Sequence, residues 1–404
     1  MTLAIRDSTS SPPFSARLIR RVGYGALCLW LCFRWCLTVG GRFLSDPLRG
    51  EDFAVFRASA LALLHGTDPY SLPPALFPNR NHPLVALWSV PYALLPADLG
   101  YAAWLITALA AYLLALALAV RVAGLPRGLW AHPLTITIAL TYAGLAAALF
   151  EGQISPFLAP LLVAAWGAAR RDRFMLAAVL LGALLALKVS LLPLAAVILA
   201  RRSWRETGAL VGGAVGISLV CLPFVGVSGY LHWFALLGAV DYTSLNTTNM
   251  SLTGWFYHFV PAAPRFFANL GIAAACVAGL LVARAAPPRG WHAADWHIGV
   301  LVLLGLLSSP ISWDHYGPFL IPVAAASLAT WPRLLPVNRL ALAAGAICLL
   351  CALDIRLLGF LFWDNAPLLG TILCGGLVLT LLALLMRRRD EKAVPGPATN
   401  RLER

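Results

Sequence analysis

The chain has 404 residues, of which 60% are hydrophobic and 12% charged, and its mean hydropathy is +0.80. Soluble domains run at about 45–50% apolar and about 25% charged, so lipid must solvate much of this surface, which excludes a water-soluble protein. The net charge of +13 would suggest nucleic acid in a soluble chain. Here the basic residues lie between apolar blocks, where they set topology and meet anionic lipid, so membrane lipid is the expected partner and nucleic acid is not.

Arg17, Arg20 and Arg21 precede an apolar stretch interrupted by Arg34, with no clear small-residue cleavage site, so a retained first helix is predicted. Cys28, Cys32 and Cys36 share one face of it and read as small packing residues. Spanning helices need roughly 20 apolar residues. They are predicted at 20–40, 100–122, 131–150, 154–169, 174–200, 207–226, 266–285, 297–312, 317–331, 339–358 and 367–386. The 174–200 block would be about 40 Å long as one helix, which overshoots the bilayer core. It carries Lys188 at its middle and basic residues at both ends, so it is read as two arms, 174–187 and 190–200, folding back near Lys188. That threading gives twelve passes with both termini inside. It places 22 basic residues on inside segments and six outside, as the positive-inside rule requires.

The expected class is therefore an all-α polytopic membrane bundle of about 11–13 transmembrane helices. A single membrane domain covers 1–386 and a polar cytoplasmic tail covers 387–404. Two outer loops are predicted, about 41–98 and about 228–265. In the first, Phe53, Phe56, Ala60 and Leu64 share a helical face while Asp52 and Ser59 fall off it. This predicts an amphipathic interfacial helix from Asp52 to His65, ended by Gly66. The proline-punctuated 83–97 stretch reads as a re-entrant or interfacial piece.

Polar residues gather on the outer side. Asp52 is either a carboxylate favoured by its helix dipole or a base sharpened by an apolar wall. Thr67-Asp68-Pro69-Tyr70 reads as a turn, and Asn79 to His82 as a solvated loop or a contact leading into the re-entrant piece. Glu151-Gly152-Gln153 is a tight polar turn or part of a site. Lys188 either snorkels or holds an anion such as phosphate. Asn246-Thr247-Thr248 and Asn249-Met250-Ser251 match the glycosylation sequon, a short and weak pattern. An aromatic belt accounts for Trp313 and Tyr316 but not for Asp314-His315 between them. No Walker loop, dinucleotide fingerprint, HExxH or GxSxG motif occurs, which argues against a nucleotide-driven pump or a soluble-type hydrolase.

Five stretches in this order resemble the polyprenol-phosphate-sugar-dependent glycosyltransferases of the GT-C class, and most of all glycosyltransferase family 87. They are Asp52-Phe53 through Gly66-Thr67-Asp68-Pro69-Tyr70; Asn81-His82-Pro83; Gly152-Gln153-Ile154-Ser155; Asn249-Met250-Ser251-Leu252; and Ser309 through Tyr316. Lys188 is similar to a lysine closing a Leu/Ala-rich helix in that family. The chain departs from the family pattern at Asn81-His82, at Glu151 and at Val189, positions that bear on sugar and acceptor identity.

The resemblance implies a GT-C type bundle in the plasma membrane with its site on the extracytoplasmic side. It implies an inverting transfer of a sugar, mannose by family expectation, from polyprenyl phosphate to a glycolipid or glycan hydroxyl. Asp52 would be the base, and His315 would orient the acceptor or the phosphate or share the acid–base work. Lys188 would neutralise phosphate. Tyr70, His82, Gln153, Asn249, Ser251, Trp313 and Tyr316 would contact substrate or backbone. No metal and no cofactor are expected. The rival reading from the residues is a transporter or lipid flippase, since broken helices and an intramembrane lysine suit both.

Overall fold

A computed structural model of the chain describes residues 14–40, 43, 49–126, 128, 132–239, 249–252, 254–255, 264–288, 290–358 and 366–386. The polar tail, Asn246 and nearly half of the predicted second outer loop lie outside these residues. Among the described residues the structure is helical, and an isolated Asn249–Trp313 bridge is the sole extended pairing.

In chain order the helices are α1 (Phe14–Trp35), α2 (Glu51–Leu64), α3 (Pro83–Ala93), α4 (Ala97–Ala123), α5 (Pro133–Leu140), α6 (Ala143–Glu151), α7 (Ser155–Ala169) and α8 (Phe174–Leu187). A 3-10 stretch, Val189–Ala195, leads into α9 (Ala196–Leu199) and then α10 (Trp204–Gly238). α11 (Pro264–Arg284) and α12 (Ala293–Ser308) follow, then a 3-10 turn over Asp314–Leu320, α13 (Ile321–Thr330), α14 (Pro336–Leu358) and α15 (Ala366–Leu385). Among the described residues, α4 and α10 are each long and apolar enough to cross a membrane alone, and the bent pair α5–α6 would be a third; the other apolar stretches described there run 10–17 residues.

The core is centred on α7 and α12, whose side chains are buried on nearly every face. A helix surrounded by other helices has no face left for water, so it is apolar all round. Their one buried charge is shared. Asp295 in the first turn of α12 accepts a bond from Trp166 Nε1 of α7 at 2.9 Å and pairs with Arg170 at 3.3 Å. α8 and α10 cross with backbones nearly touching, because Gly182 lies against the Leu210 backbone and Gly213 against that of Val179. Small residues at such crossings are the usual route to close packing between membrane helices.

Several expectations are corrected. The predicted 131–150 helix is broken between α5 and α6 by a 42° bend. Thr141 Oγ bonds back to Thr137 O, and the buried guanidinium of Arg34 reaches the Thr141 carbonyl at 3.2 Å. The break therefore gives the intramembrane Arg34 a partner, since a carbonyl released from the helix ladder must be satisfied elsewhere. The predicted 207–226 helix runs on to Gly238, bending at Gly226, where φ is 64°. On α2, Phe53, Phe56 and Ala60 are buried as the periodicity predicts, but Leu64 is exposed and Ser59 is fully buried. Ser59 Oγ donates to Pro69 O and accepts from Asn79 Nδ2, so its polarity is satisfied by the loop folded beneath it.

The 174–200 block breaks at Lys188. Its two ends meet again, with the Arg201 guanidinium 3.5 Å from the ring centre of Phe174. The chain thus doubles back, with Lys188 at the turn.

Candidate active site

The site begins at the end of α6. Gly152 takes the left-handed conformation at φ 73°, with its N–H on Leu149 O and the Gln153 N–H on Ala148 O. This closes the helix in a Schellman arrangement. A Cβ on Gly152 would lie 2.6 Å from Cβ of Phe53, so the start of α2 rests directly on this turn. Gly50 N–H bonds Phe150 O at 2.8 Å, and Tyr101 Oη donates to the same carbonyl at 2.7 Å. A helix ending and a helix beginning are thereby locked together, with Glu151 and Gln153 on one and Asp52 on the other.

Gln153 Nε2 donates to Asp52 Oδ2, a contact made across 101 positions of sequence. Asp52, Glu151 and His315 bring one oxygen or nitrogen each to within 4.8 Å of one another. His315 Nδ1 lies 2.5 Å from Glu151 Oε2. The His315 backbone carbonyl accepts a bond from Ser155 Oγ on α7, and its ring packs edge-on against Tyr316 at 4.9 Å. Lys188 Nζ sits 3.8 Å from the centre of the same Tyr316 ring. Burial pushes the Asp52 carboxyl up to about 7, and the neighbouring charge of Glu151 adds to this. His315, the Gln153 hydrogen bond and Lys188 pull it the other way without cancelling it. A carboxylate held in this range can accept a proton near neutral pH and return it.

The spacing of the three groups would also admit a small cation, but Glu151 and the His315 nitrogen are already engaged with each other. Asp52 also lies within electrostatic reach of Lys188.

Of the candidates read from the sequence, Asp52, Gln153, Lys188, His315 and Tyr316 come together here. Tyr70 and His82 do not. They belong to a set of contacts that joins residues 67–82 to α10 on both sides of the Gly226 bend. Tyr70 Oη donates to Asn81 O, His82 caps α3 by accepting the Leu84 N–H at Nδ1, and His82 Nε2 meets Ser218 Oγ at 3.0 Å. Burial holds His82 down at about 4, hence neutral. In the same set Asp68 pairs with His232 at 2.6 Å. Burial opposes its charge, but His232 and the Tyr70 N–H hold its carboxyl below the usual range.

Asn249 and Ser251 likewise lie in a set of local contacts of their own. Asn249 Oδ1 accepts from the N–H groups of Ser251 and Ser312, Asn249 Nδ2 donates to Pro310 O, and Ser251 Oγ accepts from the Gly254 N–H. With the Met250 N–H on Ser312 O at 2.6 Å and the bridge to Trp313, this stitch holds the link that carries His315. Trp313 lies 6.4 Å from the His315 ring, ring centre to ring centre.

The Glu151–His315 pairing is a contact the sequence did not single out, although Glu151 adjoins the Gly-Gln pair. Close by, Tyr142 and Gly317 form part of the wall of an almost wholly apolar cavity of about 510 Å³, which continues along Leu116, Leu320, Leu328 and Leu349.

The chain matches the family model described as Glycosyltransferase family 87 over residues 81–310, more than half its length. No curated protein and no solved structure matches it.

Proposed function

The chain belongs to glycosyltransferase family 87, and from that premise we propose that it moves a sugar, mannose by family expectation, from polyprenyl phosphate to an extracytoplasmic hydroxyl of a glycolipid or glycan. Asp52 is the general base. The observation that carries this reading is the Asp52 carboxylate, tuned to about 7 by burial and Glu151 and held by Gln153 beside His315. The transporter alternative gives way, because membership makes the chain a glycosyltransferase, which uses a sugar donor and an acceptor.

In the proposed step Asp52 takes the proton of the acceptor hydroxyl. The freed oxygen pair attacks the anomeric carbon on the face opposite the phosphate, and the carbon–oxygen bond to phosphate breaks. The product is inverted, and the phosphate leaves with the electron pair. Phosphate is a good leaving group, so what remains is to stabilise its charge, the task assigned to Lys188 and His315. The apolar cavity beside Tyr142 and Gly317 suits the hydrocarbon tail that such a donor keeps in the bilayer. The positive-inside balance supports a plasma-membrane protein with both termini cytoplasmic and this site on the outer side.

The test uses purified protein in lipid nanodiscs with radiolabelled polyprenyl-phosphate-mannose and a membrane-lipid extract. Asp52→Asn, confirmed folded, is expected to lose roughly 10²–10⁴-fold in transfer, the range for a positioned general base. Equal transfer by both proteins would remove Asp52 from the chemistry.

A further inference from the structure

We propose that Glu151 is a positioning residue that keeps His315 protonated and correctly oriented, so that the donor phosphate meets two cations, His315 and Lys188. The inference rests on the transfer reading above and assigns a role to a residue that the sequence left open between a tight turn and part of a site.

The helix ending decides where Glu151 points. It is the last residue of α6, and the left-handed Gly152 turns the chain so that Gln153 meets Asp52 while Glu151 meets His315. Glu151 Oε2 lies 2.5 Å from His315 Nδ1, close enough for the two to pair as ions when the imidazole is protonated. The histidine is held at two further points, by Ser155 on its carbonyl and by Tyr316 against its ring. With Nδ1 against Glu151, a substrate oxygen would be met by Nε2. Such a second partner fixes both the tautomer and the aim of an imidazole.

The groups facing His315 give the sign of the effect. α6 contributes Glu151 and α2 contributes Asp52, both carboxylates. α7 contributes the uncharged Ser155, and the break after α8 contributes Lys188 beyond the Tyr316 ring. Its own turn adds Asp314, Trp313 and Tyr316. Carboxylates within about 4–6 Å favour the imidazolium over the neutral ring. They also give a buried His315, only 3% exposed, a counter-charge in place of water. Removing Glu151 takes away the carboxylate in contact with the ring and leaves Asp52 and Asp314. Asp52 then gives up its own proton more readily, because its like-charged neighbour has gone. Both effects move the working pH range of the site toward acid, which loss of packing alone would not do.

The experiment compares wild type, Glu151→Gln and Glu151→Asp in nanodiscs. Transfer from labelled polyprenyl-phosphate-mannose is followed across pH, and the ring ¹⁵N shifts of His315 are assigned by difference against His315→Gln. Expected are an imidazolium signature at pH 7 in wild type and a neutral ring in Glu151→Gln. Both limbs of the Glu151→Gln pH profile should lie about one pH unit or more toward acid, with Glu151→Asp near wild type. A uniformly lower rate with an unmoved profile would overturn the proposal, as would a neutral His315 in wild type. Wild-type transfer abolished by chelator and restored by manganese would also overturn it, replacing the ion pair with a cation site. Absence of wild-type transfer from every lipid-linked sugar tried would count against the donor reading alone, and the ¹⁵N comparison would still decide the role of Glu151.

Discussion

Replacing Gly152 by alanine tests whether the contact between α2 and the end of α6 sets the catalytic geometry. Two separable effects are expected. The backbone at 152 is left-handed, with φ 73°, and an L-residue there pays roughly 1–2 kcal/mol. The added Cβ would also lie 2.6 Å from Cβ of Phe53, against an optimum of about 3.5–4.0 Å. Relief requires α2 to move by roughly 1 Å, and overpacking of this kind typically costs about 1–3 kcal/mol. Because Asp52 precedes Phe53, the same movement draws the base away from Gln153 and His315. A misplacement of about 1 Å is worth about 10²-fold in rate.

Gly66 supplies the control. Its φ is 69°, but no atom beyond its own chain neighbours lies within 4 Å of where an added methyl would sit, so Gly66→Ala carries the conformational cost alone. Apparent melting in nanodiscs, followed by tryptophan fluorescence, reads the first effect, and initial rates of sugar transfer read the second. Gly152→Ala should melt well below Gly66→Ala and transfer about 10²-fold more slowly, while Gly66→Ala keeps the wild-type rate. If the two variants melt alike and both transfer normally, the locked contact does not set the site.

Two further expectations concern pH. With Asp52 as a base titrating at about 7, kcat/KM should fall tenfold per pH unit on the acid side of that value. Initial rates between about pH 5 and 9 check this, and an acid limb near the usual carboxylate range, about 4, would refute the buried-base reading. His82 titrates in the folded chain at about 4, below its usual 6.5. As pH falls through 6.5 the unfolded chain takes up this proton first, so the stability His82 contributes is full above that pH and is lost toward 4. His82→Asn keeps a helix-capping side chain and removes the titration. It should therefore melt higher relative to wild type at pH 5 than at pH 7.5, and retain transfer within a few fold. Collapse of transfer would return His82 to the active site.

Much of the architecture was legible from composition and period. Runs of apolar residues marked most of the helices, and Lys188 marked the turn of the doubled-back segment because a lysine there has few other places to go. The helix at Asp52 was legible from its apolar face and from Gly66. What could not be read locally was any feature whose cause sits on another element. The bend between α5 and α6 exposes a carbonyl that Arg34 of α1 satisfies. Ser59 is buried because Pro69 and Asn79 fold against it. The arm of α10 beyond Gly226 carries His232, Trp233 and Tyr230 onto the first outer loop, so no periodicity within α10 could announce its role.

The candidate site divides along the same line. Its chemical residue types stand out in the sequence because carboxylate, imidazole and ammonium groups are costly beside lipid and persist only where something meets them. That alone determined a membrane-embedded helical chain, its order of motifs, and Asp52, Lys188 and His315 as its conspicuous polar groups. The tertiary structure decided which of them share a space. It brought Asp52, Gln153, Lys188, His315 and Tyr316 together with Glu151, and placed Tyr70, His82, Asn249 and Ser251 in sets of contacts of their own. Hydropathy and helical period act over a few turns of one segment, whereas a charge cluster depends on which helix ends abut. Here that was settled by a left-handed glycine at 152 and by the fold-back at Lys188.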